Sequence, residues 1–210
     1  MPNTIQGPLS SHRERKRARR RREIIRAALE AGREKGYHAT TLDDIAGRLG
    51  IRKAALYHYF PDKDAILLAC HRESLSELER IAGDSRAVEG PARRLSFLIR
   101  EHVRIMTETL EGSPLAFEVT VLPAAARAEV IRGRDRFEGV LRGVVAEGIE
   151  GGEFRAVDPK VAVFAILGAV NWIARWYRPG GGGIQPAGLG DAFADYLLRG
   201  LARESGRARP

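Results

Sequence analysis

The sequence predicts an all-α fold, with a small three-helix unit at the N-terminal end followed by a larger helical part. Three observations carry that expectation. Apolar residues recur three and four apart along nearly every segment, which places them on one face of a helix. Thr41, Pro61, Pro123, Gly151 and Pro159 fall between those segments, where helices start and stop. The composition, 44% hydrophobic and 30% charged over 210 residues, supplies a packed core and confines disorder to the ends.

The elements follow in order. Ile24, Ile25, Ala28, Leu29 and Ala31 keep helical spacing from Arg20 to Lys35, and Gly36 is a stop. Thr41 opens "TLDD", a capping box in which Asp44 answers from three residues on, and Ile45, Ala46 and Leu49 give that helix its apolar face. Gly50 allows a sharp turn, Arg52 or Lys53 starts a short helix with Leu56 and Phe60 inward, and Pro61-Asp62 starts a long helix from Lys63 to about Asp84. A helix from Glu89 to Leu110 carries Leu95, Leu98, Ile99, His102, Val103 and Met106, and Ser113-Pro114 breaks it before the short apolar piece "LAFEVTVL". Pro123 opens a helix to about Glu150 with a stripe of Val130, Phe137, Leu141, Val144 and Val145, ended by Gly151-Gly152. Asp158-Pro159 starts an apolar helix to about Tyr177. The loop "PGGGGIQP" then leads to a last helix of roughly Leu189–Arg203. The resulting divisions are a basic, flexible arm at 1–19, a helix-turn-helix unit at 20–66, a larger helical domain at 67–203 and a frayed tail at 204–210.

Several classes of function are excluded. The single cysteine, Cys70, makes no internal disulfide and no Cys/His spacing resembles a zinc site, which points to a reducing, cytoplasmic compartment. The apolar run Val161–Ala174 contains Asn171 and stops at Arg175, short of the roughly 18–20 residues of a span, so no membrane partner is expected. The basic N-terminus is followed by an amphipathic, charged segment, unlike a signal peptide. His12, His38, His58, His71 and His102 lack metal-ligand spacing, and no nucleophile elbow, P-loop or GxGxxG occurs. The expectation is a protein that is no enzyme and has neither metal nor cofactor.

The net charge of +8 is concentrated. Nine basic residues against Glu14 and Glu23 between Arg13 and Arg26 give a local balance of +7. Such a block solvates a helix face or tail, or binds a polyanion, either nucleic acid or a membrane surface. The neighbouring motif decides between them. Two short helices joined by a Gly-containing turn make a helix-turn-helix, and with Ile51, Leu56 and Phe60 inside, Lys53, Ala54, Tyr57 and His58 face outward toward a major groove. Tyr59 and Lys63 sit at the helix exit, within reach of phosphate oxygens.

The stretch "AALEAGREKGYHATTLDDIAGRLGIRKAALYHYFPDKDAILLA", Ala27–Ala69, closely resembles the DNA-binding domain of TetR-type transcriptional regulators. The resemblance implies that Arg52, Lys53, Ala54 and Tyr57 face base edges and that Thr41, His58, Tyr59 and Lys63 position the phosphate backbone of a double-stranded operator. One departure is Gly32, where the pattern usually carries Phe or another large apolar residue, so looser packing of the first helix is expected. Repression is the family default. The helix Val161–Tyr177 is apolar nearly all round and needs a second partner surface. The resemblance implies that the last two helices of each subunit form a four-helix homodimer interface, here Val161, Phe164, Ala165, Gly168, Ala169 and Trp172 with Phe193 and Leu197. A dimer also sets two recognition helices in successive major grooves roughly 34–36 Å apart.

"GAVNWIARWYRPGG", Gly168–Gly181, resembles a signature of TetR-type regulators that respond to acyl-coenzyme A thioesters. Such a small-molecule effector needs an apolar tunnel and cations for its phosphates. Leu98, His102, Val103, Met106, Phe117, Val121, Phe137 and Leu141 are candidates for the first, and Arg100, Arg104, Arg132 and Arg134 for the second. The alternative is a TetR-type regulator of multidrug efflux sensing apolar cations, which favours buried carboxylates such as Glu108 or Glu118.

Overall fold

The computed structural model describes residues 8–181 and 185–203, and all regular elements among them are helical. The α-helices are α1 (Pro8–Ala39), α2 (Leu42–Arg48), α3 (Lys53–Leu56), α4 (Lys63–Asp84), α5 (Pro91–Arg104), α6 (Ala124–Glu150), α7 (Pro159–Asn171), α8 (Ile173–Trp176) and α9 (Pro186–Leu201), with short 3-10 turns at Ser85–Ala87 and Pro114–Phe117 and a π turn at Ile105–Thr109. Among the described residues no helix is long and apolar enough to cross a membrane. Helices α1 to α3 form the small unit, and α4 runs from it into the larger domain, where α5 is central and packs on α4, α6, α7 and α9.

Several boundaries differ from expectation. The arm expected to be flexible is helical from Pro8 onward and continuous with α1. Arg, Lys, Ala and Glu are good helix formers, and Glu23 accepts from Arg19 Nε at 3.0 Å and Arg20 Nη1 at 2.6 Å. Gly36 does stop the regular helix, with φ at +75°. The predicted helix Glu89–Leu110 starts at Pro91 and swells into a π turn over Ile105–Thr109, where Leu110 N–H donates to Ile105 O at 2.9 Å. The predicted helix to Tyr177 is interrupted at Trp172, which separates α7 from α8. The last helix begins at Pro186, whose missing N–H costs nothing at a first position, and ends at Leu201. The tail at 204–210 and the first seven residues of the arm lie outside the described residues.

The expected looseness at Gly32 is overturned. Gly32 is buried, and a Cβ there would collide with the Leu115 side chain, so Leu115 occupies the space that a large residue on α1 would fill. The rest of that segment holds α1 as well. Ser113 Oγ donates to Leu29 O at 3.0 Å, Arg33 Nη1 donates to Glu111 O at 2.7 Å, and the Glu111 carboxylate pairs with Arg26 at 3.0 Å and Arg33 at 3.6 Å. The stretch from Glu111 to Phe117 is thus the seam between the two parts.

Candidate nucleic-acid interface and effector cavity

The capping box is complete. Asp44 N–H donates to Thr41 Oγ1 at 3.1 Å, while Asp44 Oδ2 accepts from Thr41 N at 2.9 Å and from its hydroxyl at 2.8 Å. Lys35 Nζ donates to the other carboxylate oxygen at 2.6 Å, and with Thr41 holds the Asp44 carboxyl well below the usual range. The Thr41 side chain therefore caps α2, and its one proton is directed at Asp44. A phosphate contact at Thr41 would have to exchange that bond.

Sidedness at α3 follows the sequence. Leu56 and Phe60 are buried, whereas Arg52, Lys53, Ala54, Tyr57 and His58 are exposed, Tyr57 to 52%. Lys53 Nζ rests 3.0 Å from Asp43 Oδ2 on the surface, a pairing weak enough to be traded for a base or a phosphate. Tyr59 is half-buried. Its carbonyl accepts from Arg21 Nη1 at 2.5 Å, and the same guanidinium lies 4.0 Å from the centre of the Phe60 ring, so α1 is fastened to the exit of α3. Lys63 is placed differently from a simple phosphate ligand. Its ammonium donates to Tyr37 O at 2.9 Å and Thr40 O at 3.0 Å and stands 4.1 Å from the Tyr37 ring centre. It ties the start of α4 to the end of α1, with one hydrogen left over.

In the larger domain a cavity of about 110 Å³ lies between α4, α5, the π turn, α6 and α7. Ser74, Leu78, His102, Met106, Leu110, Phe117, Arg134, Phe137, Leu167 and Asn171 line it. His102 meets Phe137 edge-on with ring centres 5.2 Å apart. Just behind, His71 Nε2 is 3.1 Å from Glu118 O, so Nε2 carries the proton and Nδ1 presents a lone pair to Arg134 Nη2 at 3.5 Å. Burial pulls both imidazoles down to about 4, with the Arg134 charge adding to it, and lowers Arg134 itself. Two neutral histidines and one guanidinium thus make a polar end to an apolar chamber. Among the lining residues none is acidic.

Of the expected effector residues, the structure brings His102, Met106, Phe117, Arg134 and Phe137 together here. Leu98, Val103 and Leu141 are core residues that do not line the cavity, and Val121 packs half-buried against that core. Arg100 pairs with Asp191 of α9 at 2.9 Å. Arg104 joins Glu77 at 3.1 Å and Glu101 at 3.0 Å, and Arg132 is exposed. Glu108 lies 3.8 Å from Arg104, and Glu118 accepts from Thr120 at 2.7 Å, and neither is among the residues that line the cavity. Ser74, Leu78, Leu110, Leu167, Asn171 and the adjacent His71 escaped sequence reasoning. Asn171 and His71 carried a signal, being polar positions on otherwise apolar helical faces.

On the outside, Val161, Phe164, Ala165, Gly168 and Trp172 form an exposed stripe along α7, with Val161 at 64%, Phe164 at 52% and Trp172 at 63% exposure. Ala169 and, on α9, Phe193 and Leu197 are half-buried. Tyr196, at 73% exposure, extends the apolar surface on α9 and was missed.

Comparison with known proteins places this arrangement. A family described as "Bacterial regulatory proteins, tetR family" matches residues 24–70, and one described as "Tetracyclin repressor-like, C-terminal domain" matches residues 88–201. The HTH-type transcriptional repressor KstR2 of Rhodococcus jostii (strain RHA1) is 30% identical over 191 residues, spanning 87% of this chain and 91% of the relative. The solved structure of the TetR family transcriptional regulator PfmR from Thermus thermophilus is 34% identical, with a TM-score of 0.76 and coverage of 86% of this chain and 99% of that one. AibR, solved in complex with isovaleryl coenzyme A and operator DNA, is 25% identical, with a TM-score of 0.74 and coverage of 87% and 98%.

Proposed function

This chain belongs to the TetR family of bacterial regulatory proteins, and from that premise we propose that it is a homodimeric repressor released from a palindromic operator by an acyl-coenzyme A thioester. The observation that carries the effector reading is the cavity, mostly apolar in its lining but for Ser74, His102, Asn171 and Arg134. A guanidinium in the lining repels an apolar cation but favours the oxygen of a thioester carbonyl or a carboxylate. The absence of an acid among the lining residues counts against the efflux alternative. Base reading falls to Arg52, Lys53, Ala54 and Tyr57, with His58 and Tyr59 on phosphates.

Release follows from size. Ligand sites usually hold roughly 300–1,000 Å³, more than this chamber offers, so an occupant must part its walls. Two walls lead to the DNA unit. Helix α4 supplies Ser74 and Leu78 to the cavity and Lys63 to the end of α1. The seam supplies Phe117 to the cavity and Leu115 to Gly32. A hundredfold loss of operator affinity requires about 2.7 kcal/mol of differential binding, and operator DNA must weaken effector binding by the same factor.

Fluorescence anisotropy of labelled operator, titrated with acyl-coenzyme A compounds of graded chain length, tests the assignment. Release by at least one thioester, and far less by free coenzyme A, is expected. Release only by cationic dyes sinks the effector assignment and leaves DNA binding intact. For the interface, Phe164→Glu with Trp172→Glu should give a folded monomer by sedimentation that has lost operator affinity at least a hundredfold. An unchanged dimer removes the α7 stripe from the interface.

A further inference from the structure

The helical arm that precedes the matched DNA-binding domain carries four cations, Arg13, Arg15, Lys16 and Arg17, that pair with no acid among the described residues. Family resemblance begins at residue 24, so Pro8–Glu23 lies outside it. These sixteen residues extend α1 by about 24 Å. Every residue from His12 to Arg19 is exposed. Arg19 and Arg20 share Glu23, and Arg21 is engaged with Tyr59 and Phe60. On a helix, Arg13 and Arg17, Arg15 and Arg19, and Lys16 and Arg20 stand four apart, like charges that oppose the helix. A polyanion alongside would turn that opposition into attraction.

The arm also has a defined position. The Arg21 bond to the Tyr59 carbonyl fixes its root at the exit of α3, and Arg15, Lys16, Arg19 and Arg20 line a surface groove with His12, Tyr59 and the one acid Glu23, which Arg19 and Arg20 neutralise. A backbone phosphate held by Tyr59 would lie beside that groove. We infer that the arm and Tyr59 form a second DNA-contacting surface, which takes the sugar-phosphate backbone of the duplex flanking the half-site read by α3. The inference rests on the repressor reading for the placement of α3. Duplex DNA offers one charge per about 1.7 Å of axis, enough to engage the whole arm. A membrane surface is a poorer fit, because "HRERKRAR" at 12–19 contains one apolar residue, Ala18, and an interfacial helix needs an apolar face.

The test compares the wild-type chain with Arg13→Ala/Arg15→Ala/Lys16→Ala/Arg17→Ala and with Ala18→Pro, which keeps every charge but breaks the helix. Three duplexes serve as probes: a site selected by the wild type from random sequence, the same site extended by about ten base pairs on each side, and a random duplex of about forty base pairs. On the extended site the alanine variant should bind at least tenfold more weakly at moderate salt, with its salt slope lowered by about two to four units. On the short site the two should agree within about threefold, and preference for the selected sequence should be unchanged. Ala18→Pro should lose affinity on the extended site as well. Equal slopes on the extended site overturn the inference, as does an equal loss on short and extended sites. So does full binding by Ala18→Pro, which would make the arm a mere charged tail, or arm-dependent binding to phosphatidylglycerol vesicles with DNA affinity unaltered. If no preferred sequence is selected, the repressor reading fails, while the arm is still judged by the random duplex, where the alanine variant must bind more weakly.

Discussion

Polar groups are handled in opposite ways by the two parts of the molecule. On the reading face of the DNA unit they stand outside and are satisfied by partners close in sequence, such as Thr41 with Asp44 or Lys53 with Asp43. Around the cavity and at the seam of the larger domain they are buried and joined across long stretches of chain, as His71 is to Glu118 and Ser113 to Leu29 of α1. The contrast separates two kinds of sensitivity. Exposed groups can change partner without disturbing the fold, and a surface that must accept DNA needs that freedom. Buried groups are satisfied only when the helices around them hold their places, so they report any movement of those helices.

Acid is the most severe way to break the contrast. His71 and His102 are neutral in the folded state, pulled from 6.5 down to about 4, so below pH 6.5 the unfolded chain takes up protons that the native state refuses. Their contribution to stability is full above about pH 6.5 and falls as pH drops towards 4, by roughly 2 kcal/mol for each histidine at pH 5. Urea unfolding at pH 7.5 and pH 5 measures this, and His71→Gln/His102→Gln should flatten the difference. A wild type equally stable at both values would show that the imidazoles are not held neutral.

The seam tests whether the two parts are separate at all. Gly32→Leu should lower stability by about 3 kcal/mol, since an overpacked core has no room for the new side chain beside Leu115. Leu115→Ala in the same chain should restore much of the loss, and the thermal midpoints of the four proteins form the cycle. Independent, additive effects would mean that the two residues do not share one space.

Lys63→Ala is a milder probe. Its ammonium holds two backbone carbonyls, so the variant should lose about 1–2 kcal/mol of stability as well as operator affinity. Loss of affinity with an unchanged melting midpoint would return Lys63 to a pure phosphate role. Smallest in stability is Lys53→Ala, whose surface pairing leaves the midpoint unmoved while preference among operator sequences changes. A lower midpoint with unaltered preference would contradict the assignment of Lys53 to base edges.

The same contrast explains what the sequence revealed. The cap at Thr41, the turn at Gly50 and the inward Leu56 and Phe60 depend on neighbours within a few residues, and each is where the spacing placed it. The effector chamber was only partly legible. Of four arginines suited to its polar end, Arg134 alone lines it, because Arg100 is drawn off by Asp191 and Arg104 by Glu77 and Glu101. Asp191 and Glu77 are on other helices, and helical periodicity carries no information about which face meets which. The arm misled for a different reason. A block of like charge reads as a solvated chain, yet its residues are individually good helix formers and have an ordered helix to extend.

Leu115 seated on Gly32 limits how this protein can be recombined. A DNA-reading unit borrowed from a relative with a bulky side chain at that position would bring two residues into one space, however well its own core packs. The natural joint for a chimaera is therefore not a cut in the chain before α4. The seam from Glu111 to Phe117, nearly eighty residues downstream of Gly32, has to travel with the α1 it supports. A sensor built by exchanging only the first seventy residues would inherit a reader whose mount was left behind.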